Sequence, residues 1–181
     1  MTGGHATNSR GLNSTEILSA DSETGLQKFR WGHDLPVGDT GMNGHCIARV
    51  DEDHIFLAGG NVCNTYLVDE RSFAFYRLPD LPYLRYRPAC SVVRFNNRTV
   101  YMVAGGINYI DKEAAYTTDI FDPEMFTAWQ PGPWIDGAHK WSNGGYVTYN
   151  DEIMLRFSYE VVAFHYNCSN ALLLAIKFNV E

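Results

Sequence analysis

The sequence predicts an all-β fold of repeated, antiparallel, four-stranded units, and two observations support this prediction. An apolar run ends in two glycines twice, at residues 55–60 and 100–106, and the second diglycine follows the first by 46 positions (105 minus 59). After each run come an aspartate turn, an aromatic residue and a proline-containing loop, in the same order. A fixed period of this size indicates a repeat architecture, in which each unit is one supersecondary element.

The first two strands of each unit are predicted to form a hairpin. A polar turn, at residues 51–53 in one unit and 96–98 in the next, separates an apolar strand from the run that ends in the diglycine. Glycine there permits a positive φ or a close approach of another backbone, where a side chain would clash. The structural glycines of the repeat are Gly59, Gly60, Gly105 and Gly106.

The third strand of each unit ends in an aspartate, Asp69 in one unit and Asp122 in the next, with Asp21 at a similar place upstream. Their recurrence favours a turn-forming role, in which the carboxylate accepts hydrogen bonds from backbone amides two residues further on. A metal-binding role for these aspartates is the minor alternative.

The fourth strand of each unit contains an aromatic residue. Tyr76 follows Asp69 by seven positions, and Trp129 follows Asp122 by seven. We predict that Trp31, Tyr76 and Trp129 pack between units rather than form a sugar-binding platform.

These residues resemble the Kelch repeat, in which an apolar strand ends in two glycines and a spaced Tyr and Trp follow. Tyr66 and Tyr76 stand at the aromatic positions of one unit, and Ile120 and Trp129 stand at those of the next, where the Tyr is replaced. The resemblance covers roughly residues 15–157. It implies a partial Kelch-type β-propeller of four-stranded antiparallel blades.

The resemblance divides the chain into four segments. Residues 1–44 are predicted to be an N-terminal partial blade, 45–137 two Kelch repeats, 138–158 the start of a further blade, and 159–181 an irregular C-terminal tail. Since about four to eight blades close a propeller, about three repeats imply either a piece of a larger ring or a homodimer that closes one.

Composition and charge argue against two classes of partner. The net charge of −7 and the absence of a long basic cluster argue against binding to nucleic acid or an anionic lipid surface. The longest apolar run, residues 171–176, is too short to span a bilayer. We expect a cytoplasmic protein; an extracellular one, with its Asn97 sequon in use, stays open if a signal sequence lies upstream.

The four cysteines show no spacing typical of a metal site. Cys46 and Cys90 occupy equivalent strand positions in successive units, which favours two separate, buried structural thiols over a disulfide between them.

Catalytic residues are not indicated. The six histidines are scattered, no serine stands in a nucleophile elbow, and neither diglycine opens a phosphate-binding loop. We therefore expect no enzyme activity, no metal and no cofactor. Galactose oxidase resembles the proposed fold and holds copper through Tyr and His ligands, so a remnant of such an enzyme is the alternative, although no such ligand set can be assigned here.

The loops between strands and between units are the predicted partner-binding surface. The linker that contains Arg85, Tyr86 and Arg87 is rich in residue types favoured at binding hot spots. Equally, an arginine in this linker can pair with backbone carbonyls of the next blade. The remaining candidates are Tyr109, Lys112 and Trp134. The sequence thus predicts a non-enzymatic protein-interaction module, with a secreted adhesion or recognition domain as another alternative.

Overall fold

The computed structural model describes residues 11–20, 24–95, 98–107 and 117–132, and the backbone of residues 145–149, 152–157, 160–167 and 172–179. Within these ranges the regular structure is β-sheet, with one short 3-10 helix at Gly38–Thr40 and no α-helix. The strands are β1 (Glu16–Ala20), β2 (Gln27–Trp31), β3 (Cys46–Arg49), β4 (His54–Ala58), β5 (Thr65–Asp69), β6 (Phe75–Leu78), β7 (Ala89–Phe95), β8 (Arg98–Ala104), β9 (Thr118–Phe121), β10 (Gln130–Pro131), β11 (Gly145–Tyr149), β12 (Glu152–Phe157), β13 (Glu160–Asn167) and β14 (Leu172–Asn179). The all-β prediction is confirmed.

The strands form three four-stranded antiparallel sheets and one hairpin. The sheets follow chain order, β3-β4-β5-β6, β7-β8-β9-β10 and β11-β12-β13-β14, and the hairpin is β1-β2. The two diglycine units superimpose in register, since Ala58 pairs with Thr65 in one sheet and Ala104 pairs with Thr118 in the next. The predicted four-stranded antiparallel units are therefore present.

Consecutive sheets lie side by side through their first strands. β3 lies against β7, and β7 lies against β11 and β12. Between the first two of these sheets the apolar side chains form one core, in which the rings of Phe56 and Tyr101 lie 5.0 Å apart and those of Phe121 and Trp129 lie 5.6 Å apart. The buried members of this core are Cys46, Ala48, Phe56, Ala58, Leu81, Cys90, Val92, Tyr101, Val103, Phe121 and Trp129.

The opposite face of the β3–β6 sheet carries a second core. Its buried residues are Leu35, Met42, Leu57, Tyr66 and Val68. Strand alternation explains the division, because successive side chains of a strand point to opposite faces. Each face of this sheet therefore packs against an apolar core, as expected for a sheet with neighbouring units on both sides.

The β1–β2 hairpin repeats the outer half of a four-stranded unit. Two hydrogen bonds to the backbone occur in both. One is donated by a threonine hydroxyl, Thr15 here and Thr65 in the β3–β6 unit, and the other by the backbone N–H of a leucine, Leu35 here and Leu81 there. The matching bonds are Thr15 Oγ1 to His33 O (2.6 Å) and Thr65 Oγ1 to Pro79 O (2.7 Å), then Leu35 N to Asn13 O (2.6 Å) and Leu81 N to Cys63 O (2.8 Å).

The segment before this hairpin also follows the repeat. Leu12 bridges Met42 just as Ile107 bridges Tyr86. Leu12 therefore corresponds to Ile107. Because Ile107 directly follows Gly106, Gly11 corresponds to Gly106. A Cβ on Gly11 would lie 2.8 Å from the carbonyl carbon of Gly41, which shows the same close backbone approach. These features support the prediction of an N-terminal partial unit.

The prediction that Cys46 and Cys90 remain separate thiols is wrong. Both are buried, as expected, but the structure joins them in a disulfide whose Cα atoms lie 5.7 Å apart. The register also shows that their places are not equivalent, since Cys46 pairs with Ala58, next to the diglycine, whereas Cys90 pairs with Val103, one residue further away. The two side chains therefore lie on opposite faces of their sheets. They meet because β3 and β7 adjoin, so that one face of the first sheet lies against the opposite face of the next. Cys63 is a free cysteine, and burial raises the pKa of its thiol.

The prediction of an irregular tail over residues 159–181 is also wrong. The backbone of β13 and β14 pairs along eight residues and completes a sheet with β11 and β12. The sequence there is rich in β-branched and aromatic residues without a diglycine, so the strands lack the repeat signature but keep β propensity.

Two of the three aromatic residues expected between units do not pack there. Trp129 is buried at 6% exposure, whereas Tyr76 is 52% and Trp31 is 73% exposed. The register explains the error for Tyr76, since Phe75 pairs with Val68 and packs edge-on against Tyr66, while Tyr76 points to the other face. Tyr66 itself is buried, as expected for a repeat aromatic.

Candidate functional site

The linker between β6 and β7, residues 79–88, contains the densest group of predicted partner-binding residues. Arg85 is at its centre and is fully buried, with 0% of the residue exposed. Its guanidinium donates to the Asp119 carboxylate (2.8 Å), to the Gly105 carbonyl (2.7 Å) and to the Thr117 hydroxyl (2.7 Å). These contacts connect the linker to the β7–β10 sheet.

Arg85 and Asp119 form a buried ion pair. Burial raises the pKa of the Asp119 carboxyl, and the charge and hydrogen bond of the Arg85 guanidinium oppose that rise. Two charges removed from water need good geometry and further hydrogen bonds to be tolerated, and Arg85 has both. Of the two interpretations left open for Arg85, the structure supports the structural one, so a partner cannot reach its side chain in this arrangement.

The linker backbone is hydrogen-bonded to both neighbouring sheets. The Arg85 carbonyl accepts from Gly60 N (2.7 Å), and Tyr86 exchanges two bonds with Ile107, of 3.0 and 2.8 Å. Arg87 N donates to the Gly44 carbonyl (2.6 Å). The linker is therefore fixed at three successive residues.

The side chains on either side of Arg85 point outward. Tyr83 is 45% exposed, Tyr86 is half-buried and Arg87 is exposed. The Arg87 guanidinium carbon lies 5.2 Å from the centre of the Tyr86 ring, a cation–π contact. A Cβ on Gly44 would lie 2.4 Å from the Tyr86 ring, so glycine is needed there for the ring to approach the backbone this closely. We call these three side chains of the linker, Tyr83, Tyr86 and Arg87, the linker face.

The remaining predicted partner-binding residues, Tyr109, Lys112 and Trp134, lie outside the described residues. Their role in partner binding stays a prediction.

The aspartate turns are confirmed at two of the three positions. The Asp69 carboxylate accepts from the backbone N–H of Arg71 at 2.7 Å, two residues on. The Asp122 carboxylate accepts from Glu124 N at 3.0 Å. Backbone hydrogen bonds lower the pKa of Asp69, as expected when the ionised form accepts them. Asp21 lies outside the described residues.

Sequence reasoning missed Asp119 and Gly44. Asp119 stands where the preceding unit has Tyr66, one residue after the threonine shared by both units. The prediction that Ile120 occupies this position is therefore wrong by one residue. A charged residue at an apolar strand position is the signal that could have indicated a buried ion pair with Arg85. Gly44 has no comparable signal, because its need for glycine depends on where the Tyr86 ring lies.

Within the described part of the chain, no group of three His, Cys, Asp or Glu side chains is arranged to hold a metal ion. The same residues contain no helix long and apolar enough to cross a membrane. No protein-family model matches the sequence, and no curated protein matches it significantly.

Replacing Arg85 by methionine tests the buried ion pair. We expect Arg85→Met to lower the free energy of unfolding by about 3–5 kcal/mol, because Asp119 is left buried without its counter-charge. The control is Arg71→Met, which removes an arginine with a 76% exposed side chain from a surface pair with Asp53. That change should cost about 0–1 kcal/mol. Urea unfolding measures both; equal losses would contradict the structural role of Arg85.

Proposed function

We propose that this chain is a non-enzymatic, Kelch-type protein-interaction module, whose sheets are blades of a partial β-propeller and whose linker face holds a segment of a protein partner. The observation that supports this is the combination of a fixed backbone and outward side chains in one linker. Arg85 and the bonds to Gly60, Ile107 and Gly44 hold the linker in place, while Tyr83, Tyr86 and Arg87 face solvent.

A fixed linker favours binding because little conformational entropy is lost when the partner docks. Tyrosine and arginine are enriched among residues that dominate binding energy. Arg87 stacked on Tyr86 presents a cation beside an aromatic surface. The partner segment that fits has a carboxylate next to an apolar side chain.

The blade interpretation is supported by the repeated register and by the side-by-side first strands of consecutive sheets. It leaves the same two options as the sequence: the chain is part of a larger ring, or two copies close one. The linker face is formed within a single chain, so partner binding through it requires neither option.

A displayed library of random peptides, selected on the purified chain, tests the linker face. We expect enrichment of peptides with an acidic residue beside an apolar one, and we expect Arg87→Ala to weaken the selected peptides by about ten-fold or more, as for a hot-spot residue. Arg71→Ala, which removes another exposed arginine at a distant turn, is the control and should leave binding unchanged. Selected peptides that bind Arg87→Ala and the unchanged chain equally would contradict the proposal.

A secreted recognition domain is the second candidate, and the Cys46–Cys90 disulfide favours it. Structural disulfides persist in oxidising compartments and are rare in the cytoplasm. This observation counts against the cytoplasmic location that the sequence led us to expect.

The oxidation state of the two cysteines tests the second candidate. Protein isolated from its native cells, with thiols alkylated at lysis, should show Cys46 and Cys90 unmodified before reduction and modified after it. Reduction should also lower the free energy of unfolding by about 2–4 kcal/mol. Alkylation of both cysteines before reduction would contradict an oxidising location.

A further inference from the structure

Two stretches of backbone meet at the linker face, and the Cys46–Cys90 disulfide joins them. One stretch runs from Gly44 into β3, and the other runs from Arg87 into β7. Gly44 stands two residues before Cys46, and Arg87 stands three residues before Cys90. On both stretches the covalent bond therefore lies within three residues of the place where they meet.

The linker face touches the first stretch at Gly44. The Gly44 carbonyl accepts a hydrogen bond from Arg87 N (2.6 Å), and the Tyr86 ring lies so close to Gly44 that a Cβ there would overlap it. The Arg87 guanidinium carbon in turn lies 5.2 Å from the centre of the Tyr86 ring. A movement of Gly44 relative to the linker would thus disturb both side chains at once.

The linker is tied differently to the two units it joins. The Arg85 guanidinium bonds to the Asp119 carboxylate of the β7–β10 unit, which is a buried ion pair. Towards the β3–β6 unit, residues 85–87 are held by the backbone hydrogen bonds from Gly60 N to Arg85 O (2.7 Å) and from Arg87 N to Gly44 O. The disulfide reinforces this second, weaker tie.

Arg87 is held in a strained backbone conformation. Its φ is 56°, in the left-handed region, which costs free energy for a residue with a Cβ. Such a conformation persists only where the surrounding contacts enforce it. The next residue is Pro88, and a residue before proline favours an extended conformation with φ of about −120°. Arg87 would relax to that conformation once its contacts weaken, and its side chain would then swing away from the Tyr86 ring.

We propose that the Cys46–Cys90 disulfide is a redox control on the linker face. In the oxidised chain the disulfide keeps Gly44 against the linker and Arg87 in its left-handed conformation, so that Tyr86 and Arg87 present their cation–aromatic surface. In the reduced chain Arg87 relaxes, and the partner segment binds more weakly. The inference rests on the proposed function, because it names the regulation of that same surface.

A dithiol is the reductant that this control requires. One thiolate of the dithiol attacks a sulfur of the disulfide and forms a mixed disulfide, while the other cysteine leaves as a thiolate and takes up a proton. The second thiol of the dithiol then attacks the mixed disulfide and releases the first cysteine. The protein gains two electrons and two protons, and the dithiol becomes a disulfide. Cys46 is 9% exposed and Cys90 is 1% exposed, so Cys46 is the more open to attack.

Amide hydrogen exchange tests the control without any partner. The full chain is measured in its oxidised form and after reduction with dithiothreitol, with the thiols counted by mass after alkylation of a sample. We expect exchange at Arg87 to be about ten-fold faster or more in the reduced chain, because its bond to Gly44 opens locally. Amides within β8 and β9 should change by less than about two-fold, since their ladders do not depend on the linker.

Three variants separate the disulfide from other effects. Cys46→Ala combined with Cys90→Ala removes the disulfide and should show the fast exchange at Arg87 with or without dithiothreitol. Cys63→Ser is the control, because it changes the free cysteine and should leave the response to reduction intact. Arg87→Gly removes the strain, since glycine adopts positive φ freely, so exchange at residue 87 should differ by less than about two-fold between its two redox states.

The affinity of the peptides selected on the chain is the second measurement. We expect reduction to weaken binding by about ten-fold, because the surface is no longer preorganised. If no peptide binds in either state, the proposed function fails, and hydrogen exchange alone decides the redox control. Equal exchange at Arg87 in the oxidised and reduced chains, or equal peptide affinity, would overturn the control. Loss of protection throughout β8 and β9 on reduction would also overturn it, since the disulfide would then hold the whole fold rather than the linker face.

Discussion

The close approach of backbone to backbone at the diglycines is the constraint on which the rest of the structure depends. A Cβ on Gly60 would lie 2.4 Å from the Asn43 carbonyl oxygen, and one on Gly59 would lie 2.8 Å from that of Arg85. Both glycines have positive φ, 72° at Gly59 and 93° at Gly60. Without side chains at these points, the linkers can pass between the sheets and the first strands can adjoin. The Cys46–Cys90 disulfide and the Phe56–Tyr101 contact both follow from that adjacency.

The linker between β6 and β7 combines an interior role and an exterior one. The Arg85 side chain turns inward. There the Asp119 carboxylate balances its charge, and the Gly105 carbonyl and the Thr117 hydroxyl accept further hydrogen bonds from its guanidinium. The side chains of Tyr83, Tyr86 and Arg87 turn outward, and the lack of a side chain at Gly44 leaves room for the Tyr86 ring. Neighbouring positions of one short segment therefore hold the sheets together and present a rigid aromatic and cationic surface.

The sequence predicts those features that recur at a fixed spacing and misses those that depend on contacts between units. The diglycines and the aspartate turns at Asp69 and Asp122 are local, so their pattern was sufficient. The disulfide and the Arg85–Asp119 pair depend on which strands adjoin, which a repeat period does not specify. Tyr76 was misplaced for a different reason. Tyr76 and Trp129 follow their aspartates at the same spacing, but a shift of one residue in strand pairing moves a side chain to the other face of the sheet, and the spacing does not specify that pairing.

Comparing Gly60→Ala with Gly25→Ala is the most direct test of this account. Both glycines have positive φ, but a Cβ on Gly25 would meet nothing within 4 Å. Gly25→Ala should cost about 1–2 kcal/mol in unfolding free energy, from backbone strain alone. Gly60→Ala should cost about 1–3 kcal/mol more, because the linker and sheet must move apart. Equal losses for the two variants would contradict the claim that close backbone packing at the diglycines holds the sheets together.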